Sequence, residues 1–199
     1  ADQQIHQNPG HDTYTTFSLW DTYRAAMPLF SIYQSERYTD FINTMLAIYK
    51  EQGKLPVWHL HGCETNCMVG NPGIPPVADA MIKGFPNIDY DLAYEAMKAS
   101  AIRPDRGQEH RMKYGYIPCE TMNESVAYDL EYALADGALA NAAELMAGRA
   151  SCDSVKASYE ADLEYFTARS RSYRHLYDPE LRVIRGKYSN GEFRENYSP

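Results

Sequence analysis

The sequence predicts an all-α fold. Three observations carry that reading. Apolar residues recur at helical spacing in six separate stretches. Gly, Pro and Asp stand where helices would start or stop. No stretch alternates as a strand, apart from a short pair over RVIRGKYSNGEFR (182–194), where Asn190-Gly191 is a hairpin turn. Three helical hairpins of this kind fit either an irregular bundle or part of an α/α toroid, in which the loops at one end build the site.

The elements follow in order. Residues 1–15 are polar, contain Pro-Gly and read as an irregular approach. FSLWDTYRAAM (17–27) reads as the first helix, with Pro28 expected to kink or end it, because proline lacks an N–H and clashes with the preceding turn. RYTDFINTMLAIYKEQ (37–52) is the second, carrying Phe41, Met45 and Ile48 on one stripe beside Ile42, Leu46 and Tyr49, with Gly53 as its stop. IPPVADAMIKG (74–84) opens on prolines, which a first helical turn tolerates. DYDLAYEAMKASA (89–101) has Asp89 as its N-cap. ESVAYDLEYALADGALANAAELMAG (124–148) places Val126, Leu130, Leu134, Ala138 and Ala142 on one side, and SCDSVKASYEADLEYFTARSRSYRHLY (151–177) keeps Val155, Tyr159, Leu163 and Phe166 in step. Two connections, 55–73 and 102–123, are long, polar and rich in Gly and Pro. Long loops of this kind inside one domain are usually functional.

Composition excludes several classes. The chain has 199 residues, the size of one ordinary domain. Its net charge of -8 and lack of a basic patch argue against nucleic acid as a partner. No run reaches the roughly 18 apolar residues that a membrane-spanning helix needs. Four cysteines, Cys63, Cys67, Cys119 and Cys152, are too few for a disulfide-built scaffold. The 17 tyrosines suit either sugar recognition or amphipathic packing, since each carries a flat apolar face and a hydroxyl. The chain begins ADQQIHQ, without Met and without a signal peptide, which fits a removed leader or an internal piece. RENYSP ends in a loop with no closing element.

One stretch concentrates polar chemistry: GCETNCMVGNPG (62–73), preceded by WHLH. Three readings compete. His59, His61, Cys63 and Cys67 are zinc-type ligands, but their spacing matches none of the usual zinc patterns. Three residues separate the two cysteines, so no Cys-x-x-Cys redox motif is present. The third reading is a polar pocket, with Glu64, Asn66 and Asn71 as hydrogen-bond partners for vicinal hydroxyls beside Trp58; a merely structural loop stays open as its alternative. Trp20 and Asp21 have similar character, with Arg24 spaced to pair with Asp21. Glu131 and Asp136 do not share a helix face and read as solvated charges.

Seven blocks in order, TFSLWDTYRAAMPL, LPVWHLHGCETNCMVG, PPVADAMIKG, YEAMKASA, YGYIP, SVAYDLEYALADGALA and DLEYFTARSRSYRHLYDP, resemble the family ninety-two glycoside hydrolases, which are exo-acting α-mannosidases. The similarity runs from about Thr16 to the C-terminus. It implies part of an (α/α)6 toroid, about three helical hairpins with long functional loops, preceded in the full enzyme by a β-sandwich. It also implies a calcium-dependent inverting release of mannose from α-linked mannosides, and export. By the same resemblance residues 1–199 correspond to the first half of the toroid, with the catalytic acid and base beyond Pro199, most calcium ligands elsewhere, and no metal ligand assigned here. The remainder of the polypeptide is then this chain's partner, and residues 1–199 alone are expected to be inactive. Carried over as substrate-binding residues are Asp21, matching an aspartate that holds hydroxyls of the terminal mannose, with Trp20 beside it and Glu64 and Asn66 from the ETN loop. The sequence departs from the family at Cys63, where members commonly carry Asn, and at Ala135-Asp136-Gly137, where many carry Asp-Asp-Trp. Against the enzyme reading stand a non-catalytic carbohydrate-binding piece and a helical scaffold.

Overall fold

The computed structural model describes residues 4–195. The loop end at 196–199 and the first three residues of the N-terminal approach lie outside the described residues. Nine helices and five short strands appear among those described. The order is β1 (Phe17–Ser18), α1 (Leu19–Thr22), α2 (Ala26–Tyr33), α3 (Ser35–Gln52), β2 (Trp58–Leu60), β3 (Cys63–Glu64), α4 (Ile74–Ile82), α5 (Tyr90–Ile102), α6 (Gln108–Tyr114), α7 (Ser125–Arg149), α8 (Asp153–Arg169), α9 (Tyr173–Leu176), β4 (Tyr177–Asp178) and β5 (Val183–Ile184).

Helices α3, α4 and α5 follow the sequence closely. Gly53 ends α3 at a positive φ of 77°, donating to the Tyr49 carbonyl at 2.7 Å. The Asp89 side chain caps α5 by accepting the Leu92 N–H at 3.1 Å. Phe41, Ile42, Met45 and Leu46 are buried, joining Met81, Met97, Leu139 and Phe166 in one core.

Four expectations are corrected. The first helix does not run 17–27. Phe17 pairs with His59 and Ser18 with Trp58, so the start of that stretch is extended and only Leu19–Thr22 is helical. Pro28 does not end a helix; it sits in the first turn of α2, where a missing N–H leaves no intrahelical bond unmade. The loop 55–73 contains β2 and β3, which pair antiparallel with β1 in a small sheet, and the loop 102–123 contains α6. The hairpin at the end also differs: Val183–Ile184 pair back to Tyr177–Asp178, and the Asn190-Gly191 turn closes only a single bridge between Lys187 and Phe193.

The stripe on α7 is misplaced too. Leu130 and Leu134 are 37% and 46% exposed, whereas Tyr132, Ala135, Leu139, Ala143 and Met146 are buried. At 3.6 residues per turn, steps of four advance about 40° each around the helix. The line therefore leaves the core face, with Val126 half-buried, Leu130 and Leu134 outside and only Ala142 buried. Half of the buried residues of α7 are alanine, which lets α4, α5 and α8 approach it closely.

Asp136 is not a solvated charge. It is buried in an ion network centred on Arg111, itself on α6. The Arg111 guanidinium donates to Asp129 Oδ1 at 3.0 Å, to Asp136 Oδ2 at 2.5 Å, to the Arg169 carbonyl at 2.9 Å and to Ser172 Oγ at 2.9 Å. Arg169 adds a second bond to Asp136 at 3.0 Å and reaches the Ala101 carbonyl at 2.9 Å. Asp129 also accepts the Ile117 N–H at 2.6 Å. Burial, the largest influence, pushes the Asp129 carboxyl up to about 6, against the pull of that N–H and of Arg111. The network also explains why the last helix is not continuous to 177. Arg111 satisfies the carbonyl at the end of α8 and the Ser172 hydroxyl just beyond it, so the chain turns there before α9.

Replacing Arg111 with Met roughly keeps the volume but leaves buried Asp129 with no cation, held only by the Ile117 N–H, and Asp136 on Arg169 alone. Breaking such a pair costs about 3–5 kcal/mol, so Arg111→Met should lower the unfolding free energy by that amount in chemical denaturation.

Candidate functional site

The two polar segments singled out in the sequence are brought to one surface by α7. Trp20 and Asp21 lie in α1, held at the edge of the small sheet by the pairing of Ser18 with Trp58. Asp21 is exposed; one carboxylate oxygen accepts the Ser18 hydroxyl at 2.5 Å. Trp20 is half-buried, and its indole N–H has no hydrogen-bond partner among the described residues.

Arg24 does not pair with Asp21. It donates to Glu131 of α7 at 2.5 Å, with its guanidinium over the Trp20 ring at 4.8 Å and its Nε on the Trp20 carbonyl at 3.1 Å. Tyr23 donates to the other oxygen of Glu131 at 2.8 Å. Burial, then the Glu131 carboxylate, raises the Tyr23 phenol well above its ordinary range, so it remains a donor. Glu131 is therefore an anchor rather than a solvated charge.

The second segment reaches the same helix. Gly70 sits against Glu131, so closely that a Cβ there would lie 2.4 Å from the Glu131 Cβ. Glu64, at the end of β3, turns its carboxylate onto backbone: it accepts Val57 N–H at 2.7 Å, Trp58 N–H at 3.0 Å and Asn66 N–H at 2.6 Å. Asn66 is exposed at a positive φ of 55°, and its side-chain oxygen receives Lys54 at 2.5 Å and Arg106. Arg106 also bonds the Met68 carbonyl and stacks over Tyr128, which lies three residues before Glu131 on α7.

No hydrogen bond or ion pair joins Asp21 to Glu64 or Asn66 among the described residues. Arg24, Glu131 and Gly70 make the link. A cavity of about 300 Å³ is lined by Glu64 together with Tyr14, Thr44 and His59, but not by Trp20, Asp21 or Asn66. Sequence reasoning missed Tyr23, Lys54 and Arg106, and it named Arg24 and Glu131 but not their pairing with each other. The i, i+3 spacing of Tyr128 and Glu131 was the available signal, because such residues share a helix face.

The metal reading can be set against this geometry. His59 is buried in β2, His61 lies at an exposed turn, and Cys63 and Cys67 are exposed free thiols. Among the described residues no group of three or more His, Cys, Asp or Glu side chains is placed to hold an ion. A calcium ion takes six to eight oxygen ligands. With the Glu64 carboxylate given to backbone N–H groups, this surface does not fit one.

Comparison with known proteins follows from this geometry. Residues 1–199 match the model of the glycosyl hydrolase family 92 catalytic domain. The chain belongs to glycosyl hydrolase family 92. Its whole length superposes on a family 92 α-mannosidase of Bacteroides thetaiotaomicron solved in complex with mannoimidazole, with a TM-score of 0.89, 38% identity and 25% of that chain covered. A family 92 inverting mannosidase of Bacteroides thetaiotaomicron VPI-5482 matches 94% of the chain and 25% of its own, with a TM-score of 0.84 and 28% identity. An uncharacterized secreted glycosidase of Arthroderma benhamiae is 37% identical over 94 residues, 43% of this chain and 12% of its own length. The chain thus spans about a quarter of the solved family 92 mannosidases it matches. The all-α architecture is that of part of their toroidal catalytic domain.

Two predictions concern this surface. Gly70→Ala should cost more than about 1 kcal/mol, since a positive φ disfavours any Cβ and this one also meets Glu131. Gly62→Ala, at φ 76° with open space around it, carries only the conformational part. The difference between the two in thermal unfolding isolates the contact. The second concerns His59, 3% exposed with Nδ1 unpartnered among the described residues. Burial depresses its pKa, so the folded chain holds it neutral. Its contribution is present above the unfolded value of about 6.5 and is lost as pH falls through the lower folded value. The stability difference between wild type and His59→Gln should therefore shift against the wild type between pH 7 and 5, read by denaturant titration.

Proposed function

We propose that the intact protein is an exo-acting α-mannosidase, cleaving α-linked mannosides with inversion, and that this chain supplies part of the substrate pocket. The observation that carries the reading is the fold match over the whole of this chain, at 38% identity, to a quarter of an α-mannosidase solved with mannoimidazole. The contact of both segments with Glu131 of α7, through Arg24 beside Asp21 and through Gly70 of the Asn66 loop, supports it. Asp21 keeps a carboxylate oxygen not engaged by Ser18, an acceptor for sugar hydroxyls. Half-buried Trp20 forms the wall beside it, and Glu64 sets the shape of the loop that presents Asn66.

Inversion needs two carboxyl groups roughly 6.5–9.5 Å apart, with a water between the base and the sugar. In this proposal neither is a residue of this chain. Calcium belongs to the same reading of the intact enzyme, with its oxygen ligands from other parts of the polypeptide. Export is part of the proposal as well, supported by the secreted glycosidase that the chain resembles. No helix among the described residues is long and apolar enough to cross a membrane.

The test follows hydrolysis of α-1,2-, α-1,3-, α-1,4- and α-1,6-linked mannobioses by the intact protein in real time by NMR, with calcium and with a chelator. Calcium-dependent appearance of β-mannose first is the expected result. No release from any linkage by folded protein would favour a binding role. Asp21→Ala should lower kcat/KM roughly ten- to a hundredfold for each lost hydrogen bond, since a bond to a charged group is worth about 1.5–3 kcal/mol. Unchanged kcat/KM would remove Asp21 from the pocket.

A further inference from the structure

Resting on the pocket reading above, we propose that Lys54 and Arg106 are positioning residues that fix the Asn66 side chain as a donor of two hydrogen bonds to the bound mannoside. Asn66 is constrained at three of its polar groups. Its N–H is held by Glu64 at 2.6 Å, its carbonyl accepts Arg106 at 3.1 Å, and its Oδ1 accepts both Lys54, at 2.5 Å, and Arg106. Only Nδ2 has no hydrogen-bond partner among the described residues, and the residue is exposed.

The orientation follows from chemistry. Lysine and arginine have donors and no acceptors, so an amide nitrogen cannot face them. Two cations on Oδ1 therefore leave Nδ2 as the outward group. The cations are themselves held. Arg106 bonds the Met68 carbonyl, lies over Tyr128 at 5.3 Å and receives the Tyr132 hydroxyl on its own carbonyl at 2.9 Å. Neither Lys54 nor Arg106 has a carboxylate within ion-pair distance among the described residues, so their charge is directed at the amide. Burial, with the nearby Arg106 charge adding to it, lowers the Lys54 ammonium below its usual range, a mark of how closely the two are pressed together. Donors on the oxygen of an amide polarise it and strengthen its N–H groups as donors. Asn66 thus selects a ligand oxygen that offers lone pairs, whereas Asp21 selects a hydroxyl that offers a proton.

The experiment measures kcat and KM for the intact protein on the mannobiose it cleaves fastest. Asn66→Asp, which keeps shape but turns the outward donor into an acceptor, should lower kcat/KM roughly ten- to a hundredfold. Arg106→Gln and Lys54→Met should each lower it about tenfold, with Arg106→Lys recovering part of the loss. In an Asn66→Ala background neither change should cost anything further, because all three act through one amide. A tenfold loss from Arg106→Gln persisting in that background would overturn the proposal. Asn66→Ala that loses activity while Arg106→Gln and Lys54→Met do not would sink the positioning role and leave the pocket reading standing. Unchanged kcat/KM in Asn66→Ala would remove Asn66 from the pocket, and the proposal with it. If Arg106→Gln does not fold, Lys54→Met, at a half-buried position, carries the same test.

Discussion

The arrangement depends on Arg111. One guanidinium joins α6, α7 and the end of α8, and through Asp129 it fixes the backbone at Ile117. The groups it ties come from positions 111 to 172, a span with two connections that could otherwise move independently. Taking four charges out of water is expensive, and the cost is offset only because nearly every donor and acceptor in the group is matched. The result is a fixed α7, and α7 is the platform on which both polar segments rest.

From that platform the candidate pocket follows by a chain of short contacts. Glu131 receives Tyr23 and Arg24 from one side and the Gly70 backbone from the other. Tyr128 supports Arg106, which holds Asn66. Asn66, the proposed contact, is short and exposed, and Lys54 and Arg106, which hold it, are longer and half-buried. The proposed sugar ligand would call for this division, because hydroxyls are read by direction, and direction requires groups that do not rotate.

Much of this was legible in the sequence. The helical period of 37–52, the Asp89 cap and the Gly53 stop are local signals, and the structure follows them. The seven family motifs single out Trp20, Asp21, Glu64 and Asn66 as candidates, although not what holds them. What escaped was long-range. Pairing of Phe17 with His59 overrode helical spacing at 17–18, and no local pattern announces a partner 42 positions away. Asp136 looked solvated because its partners, Arg111 and Arg169, are distant in sequence and one lay in a stretch read as loop. Glu131 escaped for the same reason, its partners being Tyr23 and Arg24. The α7 stripe failed differently: a four-residue step matches the helix over two turns and drifts off its face over four.

The seat of Gly70 on Glu131 bears on how this surface can change over time. A larger residue at 70 is barred whatever the length of the side chain at 131, because its Cβ would meet the Cβ there, and a shorter residue at 131 would abandon Tyr23 and Arg24 together. Neither position is free to drift alone. Variation here should leave Gly70 in place and come as linked replacements at 23, 24 and 131, so a single exchange grafted from a relative would disturb this surface more than the whole set moved at once.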